Sequence, residues 1–530
     1  MRELDFLKQQ HLRGRISRRE FLGRAAALGA SAALLSAMVS DIEAYAAETP
    51  AKGGTLRLGL GGGSTTDSFE PASWTDSVMI DVGFAIFNAL VENGPDNKPV
   101  PELAESFEAK PGAVEWIFNL RKGVHFHNGK EFDADDAIYS LNLHRGDKTK
   151  SGAAGPMKPV KDITKLGPNQ IQVTLASADA DFPYVLTDYH VMMVPKDYAD
   201  WGKPIGTGAF TSESFEPGVR VILKKNPNFW KADRGHLDAA QFTVINDATA
   251  RINALVSGQV DTINRVDPKL VGLLQKAKGV EIVRAPGGWF PIISMMVDKT
   301  PFDNLELRTA LKYALDRTQV LKTLFSGYGS LGNDHPIPKG DPYFNTQLPQ
   351  TPHDPEKAAF HFKKAGLSSY SILCQASDAA FNGAVDMATL FQASAAKAGI
   401  KVDVKKEPAD GFWDNVWLKA PCATSYWGGR PAATQMLSVA FQADAPWNET
   451  HWKNPKFEKL LGDAKAELDE AKRKDYIWAL QAQLAQEGGA LIPLFRDWLD
   501  GNSTKVGGHT PHSGFDMDNG RIAEKAWLKA

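Results

Sequence analysis

The sequence predicts an α/β protein of several intimately connected lobes. Stretches in which apolar residues alternate and stretches with helical spacing stay intermingled from residue 55 to the C-terminus. The chain beyond Ala47 exceeds the roughly 100–200 residues that one domain usually takes. No internal repeat and no low-complexity linker interrupts it after Ala51.

The elements follow in order. Thr55 to Leu60 alternates as a strand with one buried face, and Gly61-Gly62-Gly63-Ser64-Thr65-Thr66 reads as a flexible strand exit. That glycine run lacks the GxxxxGK[ST] spacing of a phosphate loop. Asp81 to Val91 has helical spacing. Trp116, Phe118 and Leu120 alternate along a strand, and Asn128-Gly129 marks a hairpin turn before Phe132. Asp133 suits a helix N-cap, with Asp135 and Asp136 in the positive first turn. Strands are predicted at 171–175, 219–224 and 240–245. Helices are predicted at 248–257, stopped by Gly258, at 308–315, and at 456–487 with a break near Leu468-Asp469. The Pro/Gly clusters at 335–342 and 349–355 mark one long loop.

Ser17-Arg18-Arg19-Glu20-Phe21-Leu22 stands before an apolar run, Ala25 to Val39, and Ala44-Tyr45-Ala46 offers small residues two apart. This order reads as a twin-arginine signal peptide over residues 1–46, handled by the twin-arginine translocation machinery. The apolar run falls short of the roughly 20 residues of a membrane-spanning helix. The mature protein is therefore expected to begin near Ala47 and to work in the periplasm.

The chain has 60 basic and 63 acidic residues, and residues 1–46 hold 7 and 5 of them. The remainder is left with 53 and 58, a mildly acidic surface with no electrostatic footprint for nucleic acid. The two cysteines, Cys374 and Cys422, form no Cys-x-x-Cys pair. The sequence leaves open whether they are bridged or are two buried thiols.

One ordered series of motifs covers nearly the whole mature chain. It begins with Leu103-Ala104-Glu105-Ser106-Phe107, Trp116 to Gly129 and Phe132 to Ala137. It continues with Gly206-Thr207-Gly208-Ala209-Phe210, Asn226-Pro227-Asn228-Phe229-Trp230 and Gly258-Gln259-Val260-Asp261. Pro301-Phe302-Asp303-Asn304, Arg308 and Ala314-Leu315-Asp316-Arg317 complete it. The series resembles the extracytoplasmic solute-binding proteins of ABC importers for peptides, opines and nickel. The resemblance implies a two-lobed periplasmic binding protein with a hinged cleft and an extra α/β domain. It places lobe I at 47–85, 205–290 and 489–530, the extra domain at 86–204 and lobe II at 291–488. It also implies a monomer that binds ligand between closing lobes and docks on an ABC permease of the inner membrane.

Most motif residues are expected to be structural. Gly206 and Gly208 would permit a tight backbone at a lobe boundary, and Trp116, Phe118 and Trp230 would fill cores. His125 with His127, and His509 with His512, have spacing that can hold a metal, but no metal site and no cofactor is expected.

The ligand is read from Ser425-Tyr426-Trp427-Gly428-Gly429-Arg430-Pro431. In peptide-binding relatives, the resemblance implies, an acidic residue soon after the tryptophan pairs with the peptide's α-amino group. Here Arg430 stands at that place, within a residue or so. A guanidinium presents a planar fork suited to carboxylate or phosphate. The expected ligand is a peptide or peptide-like conjugate, such as an opine, with an exposed anionic group. The alternative is that Arg430 bridges to Asp444 or Asp298. Trp427, Tyr426, Trp289, Trp413 and Trp74 are the expected aromatic walls. Asp298 adds a charge near the lobe crossing, for a ligand amine or the hinge.

Two other functions were weighed. A nickel or nickel-chelate receptor remains compatible, since Arg430 could grip a chelator's carboxylates. A periplasmic hydrolase finds no Gly-x-Ser-x-Gly elbow and no His-Glu-x-x-His, so the chain is not expected to be an enzyme.

Overall fold

The computed structural model describes residues 24–25, 50–367 and 370–529. The proposed signal peptide lies almost wholly outside these residues. Among the described residues no helix is long and apolar enough to cross a membrane.

Two large sheets carry the architecture. The first has seven strands, in the order Val280–Ala285, Trp498–Ser503, Thr262–Ile263, Thr55–Leu60, Ala239–Val244, Arg220–Lys225 and Phe210–Glu216. Thr55–Leu60 lies near its centre and pairs in parallel with neighbours on both sides. Its Leu56, Leu58 and Leu60 are fully buried, so the alternating pattern does mark a core face. The second sheet has five strands, in the order Lys401–Lys406, Ser371–Ala376, Cys422–Trp427, Phe290–Met295 and Ala490–Leu491. A third, antiparallel sheet of four strands spans Ala104–Ala109, Glu115–Leu120, Gln170–Leu175 and Val160–Gly167. Helix Ala134–Asn142 packs on it through Ala134, Ala137 and Leu141.

Local chemistry sets most element ends. Asp133 and Asp136 form a reciprocal capping box at the start of helix Ala134–Asn142. The hairpin turn at Asn128-Gly129 is closed by the amide of Gly129 donating to the carbonyl of Phe126, 2.8 Å. The long helical pattern splits into Pro455–Ala466 and Glu470–Glu487, the second capped by Asp469. The helix expected at 81–91 is shifted: it runs Ser77–Ile86, and Val91 opens a strand instead. Asp76 starts it by accepting from the amides of Val78 and Met79. The amide of Gly208 takes the Ile86 carbonyl at its end, 2.8 Å. A Cβ at Gly206 would stand 2.1 Å from the Ile86 oxygen, which is why that backbone must be glycine.

The remaining motif residues are structural. Trp116 and Phe118 lie in the core of the four-stranded sheet, and Trp230 packs against it beneath the Arg121 guanidinium. His127 Nε2 lies 3.1 Å from the Gly208 carbonyl and His512 Nε2 2.7 Å from that of Gly94. Cys374 and Cys422 are free, buried thiols on adjacent strands of the second sheet.

A buried ion network ties remote segments together. Glu102 accepts from Arg521 Nη1 and Nη2 at 2.8 and 2.9 Å and from Lys231 at 2.7 Å. Glu524 accepts from Lys231 and Arg234, and Glu92 from Arg234. Glu92, Glu102 and Glu524 form a trio close enough to hold a metal ion, but Lys231, Arg234 and Arg521 already compensate their charge. Burial alone would raise the Glu524 pKa, yet Lys231, Arg521 and Arg234 hold it at about 2. Breaking a buried pair leaves an uncompensated charge and costs about 3–5 kcal/mol. Arg521→Met should lower stability by that amount, read as a shifted urea midpoint; an unchanged midpoint would mean that the network contributes little.

Candidate functional site

The chain passes twice between the large sheets. One passage runs from Ala285 through Gly287-Gly288-Trp289 to Phe290, and the other from Leu494–Arg496 to Trp498. The two lie side by side, and the Arg496 amide donates to the Trp289 carbonyl at 2.9 Å. A Cβ at Gly287 would come within 2.3 Å of the Arg496 oxygen, so glycine lets the passages touch.

Side chains at this crossing build an aromatic wall. Strand Phe290–Met295 pairs antiparallel with Cys422–Trp427, with Phe290 opposite Trp427 and Pro291 opposite Tyr426. Tyr426 faces outward, 39% exposed, and stacks on Trp289 with centroids 5.8 Å apart. Trp413, 40% exposed at the start of the short helix Phe412–Asn415, meets Tyr426 edge-on at 6.0 Å. Phe381 closes the other side of Trp289, edge-on at 5.5 Å.

Arginines surround this wall. The Arg496 guanidinium lies 4.7 Å from the Trp289 ring centroid and 5.6 Å from that of Trp498. Arg265 lies over Trp498 and Phe515, and its Nε donates to Asp516 Oδ2 at 2.6 Å. Arg430 donates from Nη1 to the carbonyls of Gly428 and Gly429, at 3.1 and 3.2 Å. Arg430 is exposed to solvent, and the protein mass around it lowers its pKa, against the nearby Asp188 and Tyr189. Tyr189 is pushed up to about 12, first by burial and then by Asp188, while Arg430 and Arg265 pull the other way. The segment 188–189 thus lies within electrostatic reach of arginines from both large sheets.

A cavity of about 320 Å³ opens beside the crossing, lined by Arg265, Lys269, Phe325, Asp386, Arg496 and Trp498 among others. It draws on strand Trp498–Ser503 of the first large sheet and on helices Arg317–Phe325 and Ala384–Ala396, which pack with the second, and it holds Arg265, Lys269 and Arg496 together with Asp267, Asp386 and Asp497.

Glu449 supports the wall from beneath. It is 2% exposed and accepts from Trp427 Nε1 at 2.6 Å and Trp417 Nε1 at 3.1 Å. Desolvation raises its pKa to about 7, against the hydrogen bonds of Trp427, Ser425 and Trp417.

The residues proposed from sequence separate into two groups. Trp289, Tyr426 and Trp413 come together as the wall, and Arg430 stands on the loop that follows it. Trp427 does not face the cleft: it is 4% exposed and packs among Phe290, Ile292 and Leu437, because strand alternation turns it away from Tyr426. Trp74 is also no wall. It is 1% exposed in the core with Phe87 and Ile86, and its indole donates to the Ser68 carbonyl. Asp298 lies beyond the far end of strand Phe290–Met295, about 20 Å from Trp289 at the usual rise per residue. There it bonds His451 Nδ1 at 2.9 Å and serves neither cleft nor crossing. Among the described residues Arg430 meets no carboxylate within 4.0 Å, so the bridges to Asp444 and Asp298 are not formed.

Sequence reasoning missed Arg496, Trp498 and Arg265. The signal for Arg496 was present: a lone arginine that directly follows the apolar run Leu491-Ile492-Pro493-Leu494-Phe495.

The comparisons with known proteins give the family and the fold. The profile of the bacterial extracellular solute-binding proteins, family 5 (middle region), matches residues 98–449, and the chain belongs to that family. The dipeptide-binding protein of Escherichia coli K12 is 25% identical over 471 residues, which cover 80% of this chain and 86% of that protein. HbpA2 from Haemophilus parasuis superposes with a TM-score of 0.81 at 21% identity, covering 90% of this chain and all of the other. AgaA from A. tumefaciens R10, in complex with agropinic acid, superposes with a TM-score of 0.71 at 24% identity, over 90% and 99% of the two chains. The fold is the two-lobed α/β fold of the periplasmic peptide-binding proteins.

The Glu449 environment makes a pH prediction. An unfolded glutamate ionises near 4.5 and this one near 7 when folded. Its contribution to stability is therefore present in full below the lower value and lost as pH rises through about 7. Tryptophan fluorescence of the folded protein should titrate with a midpoint near pH 7 and lose that transition in Glu449→Gln. A transition that survives in the variant would assign it to another group.

Proposed function

We propose that the mature chain is a periplasmic receptor of an ABC importer, exported by the twin-arginine route. It captures a peptide or peptide-like solute, such as an amino-acid conjugate of the opine type, between its lobes and hands it to a membrane permease. Trp289, Tyr426 and Trp413 supply the apolar wall for the solute. Arg430 supplies a fork for its carboxylate.

The observation that carries this reading is Arg430 itself. It stands beside the wall at the solvent-exposed surface, and among the described residues its guanidinium bonds only the carbonyls of Gly428 and Gly429. A solute carboxylate would restore the missing partner through charge-assisted hydrogen bonds, worth about 1.5–3 kcal/mol. The family supports the receptor role, and the dipeptide-binding relative supports the peptide-like scale of the solute.

Thermal unfolding against N-acetylated dipeptides, their C-terminal amides, opines, free dipeptides and nickel chelates tests the proposal. A ligand at 100 times its Kd adds about 2.7 kcal/mol, well above detection. Carboxylates should raise the midpoint and amides should not, and Arg430→Ala should weaken carboxylate binding at least tenfold. Equal stabilisation by acids and amides, or unchanged affinity in Arg430→Ala, would refute the role of Arg430.

A further inference from the structure

Arg496 is not used by the reading above. Among the described residues its guanidinium has no carboxylate within 4.0 Å and makes no hydrogen bond. Of the neighbouring acids, Asp497 pairs with Arg284 at 2.5 Å and Asp516 with Arg265 at 2.6 Å, while Asp267 and Asp386 line the cavity without coming within 4.0 Å of Arg496. What faces Arg496 is the flat side of Trp289, the ring of Trp498, and the cavity that it helps to line. Burial pulls its pKa down to about 10, and Arg265 adds repulsion. A cation lodged between two indoles beside a second cation, with open space in front, lacks only an anion.

We infer that Arg496 is a second anion subsite, which takes a carboxylate or phosphate group of a solute lying in the inter-lobe cavity, so that the preferred solute carries two separated negative charges. This rests on the cleft being the solute site, with Arg430 as the first anchor. The two arginines flank one passage of the chain. Arg430 follows Gly428-Gly429, whose backbone meets Gly288, and Arg496 covers the next residue, Trp289. A planar fork stacked on an indole is held in orientation before the anion arrives, which limits the ordering cost of binding. Arg496 also belongs to the second passage through its amide bond to Trp289. An anion on its side chain therefore bears on the segment about which the lobes would turn, and it would favour whichever lobe arrangement brings Arg265 and Arg496 around it.

The test uses three probes against the full mature chain: N-acetyl-Gly-Phe with one carboxylate, N-acetyl-Glu-Phe with two, and N-acetyl-Gly-Phe-amide with none. Kd is measured by calorimetry for the unaltered protein, Arg496→Gln, Arg496→Lys and Arg430→Gln. The unaltered protein should bind the dianion at least tenfold more tightly than the monoanion. Arg496→Gln should erase that ratio while still binding the monoanion. Arg496→Lys should keep part of it, and Arg430→Gln should weaken both acids. Because the removed cation has ring contacts but no ion pair, Arg496→Gln should unfold within a few degrees of the unaltered protein without ligand. A dianion advantage that persists in Arg496→Gln overturns the subsite and leaves the role of Arg430 standing. Binding of the amide as tightly as of both acids overturns the role of Arg430 and the subsite together, as does failure of all three probes to bind.

Discussion

The double passage of the chain between the two large sheets is the constraint on which the rest depends. Its two segments are joined by the hydrogen bond from the Arg496 amide to the Trp289 carbonyl, and glycines at 287 and 288 let other backbone approach them closely. Trp289 immediately precedes one strand and Arg496 ends another, and their side chains meet at the crossing. The aromatic wall is then continued by Tyr426, which the strand register puts opposite Pro291. The aromatic wall at the crossing thus follows from topology before any ligand is considered.

Charge distribution separates the site from the scaffold. In the scaffold, the network of Glu92, Glu102 and Glu524 with Lys231, Arg234 and Arg521 matches buried acids with bases, whereas the buried Arg308 and Lys312 are satisfied by backbone carbonyls. The crossing differs in what its cations meet. Arg265 has Asp516, but Arg496 and Arg430 have rings and carbonyls instead of acids. Arg496 is partly buried and Arg430 is exposed, so of the two it is Arg496 whose charge lies further from water.

Much of the fold was legible in the sequence, because strand alternation, helix caps and turn residues act locally. Asp133, Asp469 and Asn128-Gly129 did what their chemistry dictates. The helix at Ser77–Ile86 was misplaced because its end is set by Gly206 and Gly208, more than a hundred residues away. The site was legible only in part for a similar reason. Alternation says that Tyr426 and Trp427 point to opposite faces, but only the packing of the Ala433–Phe441 helix decides that Trp427 is inside. Asp298 is close to Trp289 in sequence, but an intervening strand carries it to the far end of the sheet. Arg496 and Trp289 are separated by some two hundred residues, and no local pattern announces their contact.

The most direct test of an anion-selective cleft is a crystal structure of the mature protein with its tightest-binding solute. The account predicts the solute in the cleft between the lobes, its body on Trp289, Tyr426 and Trp413. Its acidic oxygens should lie within hydrogen-bond distance of the Arg430 and Arg496 guanidinium groups. A solute whose acidic groups point to bulk water, with both guanidinium groups left as they are here, would contradict it.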